Sequence, residues 1–210
     1  MNRIKELNGM MEGKTIFIIG SGTSLKGFNF RRLDKEFTIA INHTIEHYPQ
    51  AKSLIFSDKI FLSKTSFNIK TYKGLMYVNE NCLHSKPLQD MDLEQYPNIY
   101  IFKSRRDEPV LDARQGLFHP TSCGIMAVSL SLQMKAKRIY LLGYDYYYQP
   151  DGQIHFYKDL PHHLKYPQQR VGMKAKKFNL FEKWKHRIIN LNPKSLITTF
   201  EKIALEDIIK

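Results

Sequence analysis

The stretch TIFIIGSGTSL, residues 15–25, decides how this chain is read. A run of β-formers from Thr15 to Ile19 drops into a loop of small residues, Gly20-Ser21-Gly22-Thr23-Ser24. An uninterrupted apolar run reads as a strand buried on both faces, the habit of parallel sheets covered by helices. Further runs repeat the pattern: FTIAIN (37–42), SLIFSD (53–58), GLMYVN (74–79), NIYIFK (98–103), RIYLLGYD (138–145) and RIINLNP (187–193). Helical patterns fall between and after them. TSCGIMAVSLSLQMKA (121–136) offers a broad apolar face, and VGMKAKKFNLFEKWKH (171–186) is basic on one side with Phe178, Phe181 and Trp184 on the other. ITTFEKIALEDIIK (197–210) is expected to close the chain as a helix. Strands alternating with helices give an α/β fold: a single Rossmann-like domain over 1–210, with a mostly parallel sheet flanked by helices. The 210 residues suffice for one sizeable core. Residues 146–170, rich in Tyr, Pro, His and Gln, read as a lid or binding loop.

Composition narrows the partners. Thirty-two Lys and Arg against 20 Asp and Glu give a net charge of +12, scattered except for KSRR (103–106) and KAKKFNLFEKWKHR (174–187). Such a balance suits anionic small substrates, an anionic membrane face or nucleic acid. No RNA-recognition signature or zinc-finger spacing occurs, so no dedicated nucleic-acid site is expected. The basic segment could meet a membrane, an acceptor or water alone, and all three stay open, as does the oligomeric state. No stretch approaches the roughly 18–20 apolar residues of a membrane span. The opening MNRIKELNGMMEGK is too polar for a signal peptide, and Cys82 and Cys123 lack metal-ligand spacing. A cytoplasmic setting is expected, with peripheral membrane association through the basic segment as an option.

The candidate site is assembled from strand ends. Ligands bind at the carboxyl edge of open α/β sheets, where the loop Gly20-Ser21-Gly22-Thr23-Ser24 lies. Its glycines allow close approach, and its N–H and hydroxyl groups can bond phosphate or sugar oxygens. It is neither a Walker loop, lacking Gly-Lys-Ser/Thr, nor the full dinucleotide fingerprint, lacking the third glycine. A side chain at Gly22 is expected to block the ligand and spare the fold. Asn42 ends the second strand and could read a ribose or base edge, or simply form a turn. Thr121 or Ser122 can cap the helix that follows and also face an anion. Asp145 can bind a metal, orient a sugar hydroxyl or cap a turn.

IIGSGTSL, AIN, TSCGIMAVSLSLQMKAKRIYLLGYDYYY and NLNPKSLITTF together resemble, in the same order, the bacterial sialyltransferases of glycosyltransferase family 42. Those enzymes carry a Gly-Asn-Gly-Pro-Ser-Leu loop, a Cys-Asn after the second strand, a Thr-Ser-Gly helix start, a Gly-Ile-Asp-Phe-Tyr strand end and a Cys-Pro-Asn-Ser-Leu tail. The wider group includes archaeal 6-hydroxymethylpterin diphosphokinases and phage-encoded proteins with a similar GYD…H stretch. The resemblance implies a nucleotide-sugar site in which Ser21, Gly22, Asn42 and Ser122 take the family's donor-binding positions, with Cys123 inserted before Gly124. It implies that Tyr147 and His155 stand for two tyrosines that steady the leaving phosphate. It implies a catalytic base at His163, with His162 beside it. His119-Pro120 stand where the family has an arginine.

The implied reaction is transfer of a sialic-acid-like sugar from a CMP-activated donor to a glycan or other acceptor hydroxyl, with no metal or cofactor. Tyrosine and histidine donors can steady a leaving phosphate without a metal, and an imidazole suits the base. The alternative is a diphosphokinase holding Mg²⁺ on Asp58 and Asp145. A third reading is a non-catalytic nucleotide- or nucleic-acid-binding factor.

Overall fold

The computed structural model describes residues 4–118, 122–157 and 168–209. All seven runs read as strands form them: β1 (Thr15–Ile19), β2 (Thr38–Ile41), β3 (Ser53–Phe56), β4 (Leu75–Asn79), β5 (Ile99–Phe102) and, after the short β6 (Ser104–Arg105) and β7 (Leu117–Phe118), β8 (Arg138–Leu142) and β9 (Ile188–Asn190). A two-residue β10 (Glu201–Lys202) follows. The helices are α1 (Thr44–His47), α2 (Lys59–Lys64), α3 (Cys123–Gln133), α4 (Gln168–Lys176) and α5 (Leu205–Ile208), with many 3₁₀ turns between.

One eight-stranded sheet runs β10-β9-β8-β1-β2-β3-β4-β5, and all its pairs are parallel; β6 and β7 pair separately. Successive side chains alternate between two cores, as the period of a strand demands. Ile16, Ile18, Ile39, Ile55 and Ile139 face α3 and Phe178-Phe181-Trp184. Phe17, Ile19, Ala40, Leu54 and Leu142 face Ile45 of α1 and Phe61 and Leu62 of α2. Both faces are covered, which is why the strand sequences do not alternate.

Helix α3 is wrapped on all sides rather than on one face. Its polar residues are absorbed by bonds: Ser129 Oγ accepts from the Phe118 N–H, and Gln133 Nε2 donates to the carbonyls of Val110 and Gly116. The basic segment begins as α4 and tightens into 3₁₀ turns over Lys177–Arg187. The expected closing helix is instead β10, whose Glu201 and Lys202 pair with Ile189 and Asn190, followed by the single turn α5. Here tertiary pairing overrides helix propensity. Among the described residues no helix is long and apolar enough to cross a membrane.

The chain walks outward from β1 to β5 in one direction and from β8 to β10 in the other. Neighbours β1 and β8 therefore form the topological switch point. The connections after them leave in opposite directions, the arrangement that in open α/β sheets places a crevice at the carboxyl edge.

Candidate functional site

The loops after β1 and β8 meet in that crevice. The Gly20 N–H donates to the Leu142 carbonyl and the Gly22 N–H to the Gly143 carbonyl, each at 2.8 Å, continuing the strand pairing into the loops. Gly143 has φ of +65°, a left-handed conformation that suits glycine. The approach is close enough that a Cβ on Gly20 would stand 2.8 Å from the Gly143 carbonyl oxygen.

Asp145 holds this junction together. Its buried carboxyl group accepts from Thr23 Oγ1 (3.2 Å), the Ser24 N–H (2.8 Å), Ser24 Oγ (2.5 Å) and Asn192 Nδ2 (2.8 Å). Both oxygens are engaged by protein donors, so Asp145 braces the loop from within. Of the metal, sugar and turn-capping roles open to Asp145 in the sequence, these bonds are of the third kind. The tail NLNPKSL completes the brace: Ser195 Oγ and Asn190 Nδ2 donate to the Tyr144 carbonyl at 2.6 and 3.3 Å. Asp58, the other metal candidate, is exposed and caps α2 through the Ile60 N–H.

The brace corrects the expectation for Gly22. A Cβ there would run into the Asp145 carboxyl group before it met any ligand. Gly22→Val is therefore expected to lower the melting temperature by several degrees, about 1–3 kcal/mol of overpacking strain. A thermal melt of the variant that matched the parent would show that the loop yields freely.

Ser21 faces the first half of the predicted lid. Its Oγ lies 2.7 Å from His155 Nδ1, its carbonyl accepts from the Phe156 N–H, and Gly22 bridges His155. Gln149 Nε2 donates to Thr23 Oγ1 at 2.7 Å. Residues 146–157 thus lie docked along the glycine loop. The rings of His155, Tyr157 and His47 stack in sequence, with centroids 5.3 and 4.9 Å apart. Burial, opposed by the bond to Ser21 and reinforced by Glu46, pushes the Tyr157 phenol above its usual range.

Near the same edge, Asn42 adopts φ of +49°, and its buried Oδ1 has no hydrogen-bond partner among the described residues. Asn tolerates this conformation better than most residues. Beside it Cys123 opens α3, with its Sγ 3.0 Å from Ser57 Oγ at the end of β3. Burial raises the Cys123 thiol pKa despite hydrogen bonds from Ser57 and Asn42, so the sulfur stays protonated. Ser122 is the helix cap, accepting from the Gly124 N–H, and its Oγ lies 3.2 Å from the Tyr146 hydroxyl. Tyr146 is a second left-handed residue, with φ of +59°, and burial pushes its phenol up to about 12. Backbone strain of this kind collects at functional sites. Tyr147, next in the chain, is half-buried.

This edge thus gathers Gly20, Ser21, Gly22, Thr23, Ser24, Asn42, Ser122 and His155 from separate elements, and Tyr147 follows Tyr146 in the chain. Thr121, His162 and His163 lie outside the described residues. Sequence reasoning missed Ser57, Cys123, Tyr146 and the His47–Tyr157 stack. Position at a strand end signalled Ser57 and Tyr146, whereas no local pattern signalled the others.

No protein-family model matches the chain, and no curated protein matches it. Among solved structures, the chain is similar to a mammalian sialyltransferase in complex with Gal-beta-1-3GalNAc-ortho-nitrophenol. The match has 14% identity and a TM-score of 0.45, and covers 80% of this chain and 68% of that one.

Proposed function

We propose that this protein is a glycosyltransferase that takes a sialic-acid-like sugar from a nucleotide donor, CMP-activated, and passes it to an acceptor hydroxyl without a metal. The carrying observation is the convergence on the β1–β8 switch point. The glycine loop, Asn42 and the capped start of α3 ring one crevice there, in the order in which the motifs resemble glycosyltransferase family 42.

In this reading the N–H groups of Ser21 and Thr23 and the Ser21 hydroxyl lie along the donor phosphate. The unpartnered Asn42 Oδ1 accepts from a ribose hydroxyl or base amine. A buried acceptor left unsatisfied costs about 1–3 kcal/mol, which a ligand donor would offset. Tyr147 and His155 donate to the leaving phosphate, where preorganised donors are worth about 2–4 kcal/mol each. His163, with His162 as the alternative, takes the acceptor proton.

Asn42 offers a clean test, because glycine accepts its left-handed backbone while removing the amide. Asn42→Gly is expected to weaken CMP binding about tenfold, the worth of one good hydrogen bond. Its melting temperature should stay close to the parent's. Calorimetric titration with CMP checks this, and unchanged affinity in a folded variant would remove Asn42 from the site.

A further inference from the structure

Asn42 is followed by His43 and then by the single turn α1, which is tied to the same edge of the sheet. Thr44, the first residue of α1, donates from Oγ1 to the Gly20 carbonyl at 3.2 Å. His47, its last residue, stacks on Tyr157 with centroids 4.9 Å apart. The turn is therefore fastened to the glycine loop at one end and, at the other, to the segment docked along that loop.

Between these ties stands a histidine–carboxylate pair. His43 Nδ1 lies 2.7 Å from Glu46 Oε1, and Thr65 Oγ1 donates to the same oxygen at 2.7 Å. The His43 ring packs edge-on against Phe61 at 5.0 Å, and only 12% of its side chain is exposed. Burial works against the Glu46 carboxylate, but the bonds from His43 and Thr65, the charge of His43 and a bond from Ser66 together hold its pKa below the usual range. The carboxylate thus accepts the Nδ1–H and fixes the ring, and a neutral imidazole so held keeps its lone pair on Nε2. Nε2 has no hydrogen-bond partner among the described residues.

In dinucleotide-binding α/β folds, an acidic residue at the end of the second strand, about 20 residues beyond the glycine loop, takes a ribose hydroxyl. Here β2 ends at Ile41, and Asn42 and His43 stand where that acid would be. The chain brings its carboxylate up behind the imidazole instead, so the acceptor offered at the strand end is a ring nitrogen.

We propose that His43, held by Glu46, is a ligand-binding residue that accepts a ribose hydroxyl, so that the site selects ribonucleotides over their deoxy forms. Glu46 is a positioning residue that acts through the ring. The inference rests on the nucleotide-donor reading and adds a specificity determinant to it.

The test is calorimetric titration of the full chain with CMP, 2′-deoxy-CMP and 3′-deoxy-CMP. The parent should bind CMP about tenfold more tightly than one of the deoxy forms, the worth of one good hydrogen bond, and the form that loses affinity identifies the hydroxyl. In His43→Phe, which keeps a ring against Phe61, CMP should fall to the affinity of that deoxy form and the ratio should vanish. Glu46→Gln should retain the ratio, because its amide oxygen can still take the Nδ1–H, whereas Glu46→Ala should shrink it. A folded His43→Phe that keeps the parent's ratio overturns the assignment. Should that variant not fold, the parent decides: the ¹⁵N resonance of His43 Nε2 should move with CMP and not with the disfavoured deoxy form, and an equal shift with both overturns it. A parent that binds all three nucleotides alike sinks this inference and leaves the donor reading standing. A parent that binds none of them sinks the donor reading and this inference with it.

Discussion

Asp145→Ala is expected to lower the unfolding free energy by about 3–4 kcal/mol, near the upper end for a single substitution. Its four donors come from Thr23, Ser24 and Asn192, on two separate segments. Removing the carboxyl group strands those donors in a buried junction, and each stranded group carries its own desolvation cost. The damage should spread from the fold to the site, because the same donors shape the glycine loop. Urea denaturation should show an earlier midpoint with an unchanged slope, and ligand binding should fall with it. Asp145→Asn should be milder, since the side chain keeps its shape and one acceptor. A loss below about 1 kcal/mol in the alanine variant would mean that the junction is braced elsewhere.

The largest effect on turnover is expected from His163→Ala. A general base is worth about 10²–10⁴-fold in rate, and His163 takes that role through the family resemblance. Binding of CMP should be nearly unchanged, because the base acts on the acceptor and not on the nucleotide. His162→Ala is the companion measurement. If His162→Ala is inactive while His163→Ala works, the base is the neighbour. If both variants keep full transfer activity, the base lies elsewhere.

The sheet was readable from the sequence because its strands are buried on both faces. Runs such as TIFII and TIAI then carry no polar alternation to mislead. β10 was not readable. Glu201 and Lys202 are polar edge residues beside a helix-favouring Ala204-Leu205-Glu206, and only the pairing with Ile189 and Asn190 makes them a strand. Many 3₁₀ turns also escaped notice, although Asn29, Asn68, Asn79, Asp92 and Asp112 cap them with the side-chain chemistry that turn-forming residues supply.

The site divided along the same line. Strand ends put Gly20–Ser24, Asn42, Asp145 and Tyr147 at one edge of the expected sheet, since a parallel sheet gathers its carboxyl ends there. What those residues do there depends on partners far away in the chain. Asp145 read as a ligand group because its Ser24 partner is 121 residues distant and Asn192 is 47. Cys123 looked like an insertion until Ser57, 66 residues away, appeared beside its sulfur.

The most direct measurement is a thermal-shift panel of CMP, UDP, GDP and ATP, each with Mg²⁺ and with chelator. A ligand present at 100 times its dissociation constant stabilises the folded state by about 2.7 kcal/mol. For a chain of this size that is a rise of roughly 5–10 °C. The account predicts that CMP raises the melting temperature by such an amount, more than the other nucleotides, and equally in chelator. It would be contradicted if CMP left the melt unmoved while ATP stabilised the protein only in the presence of Mg²⁺.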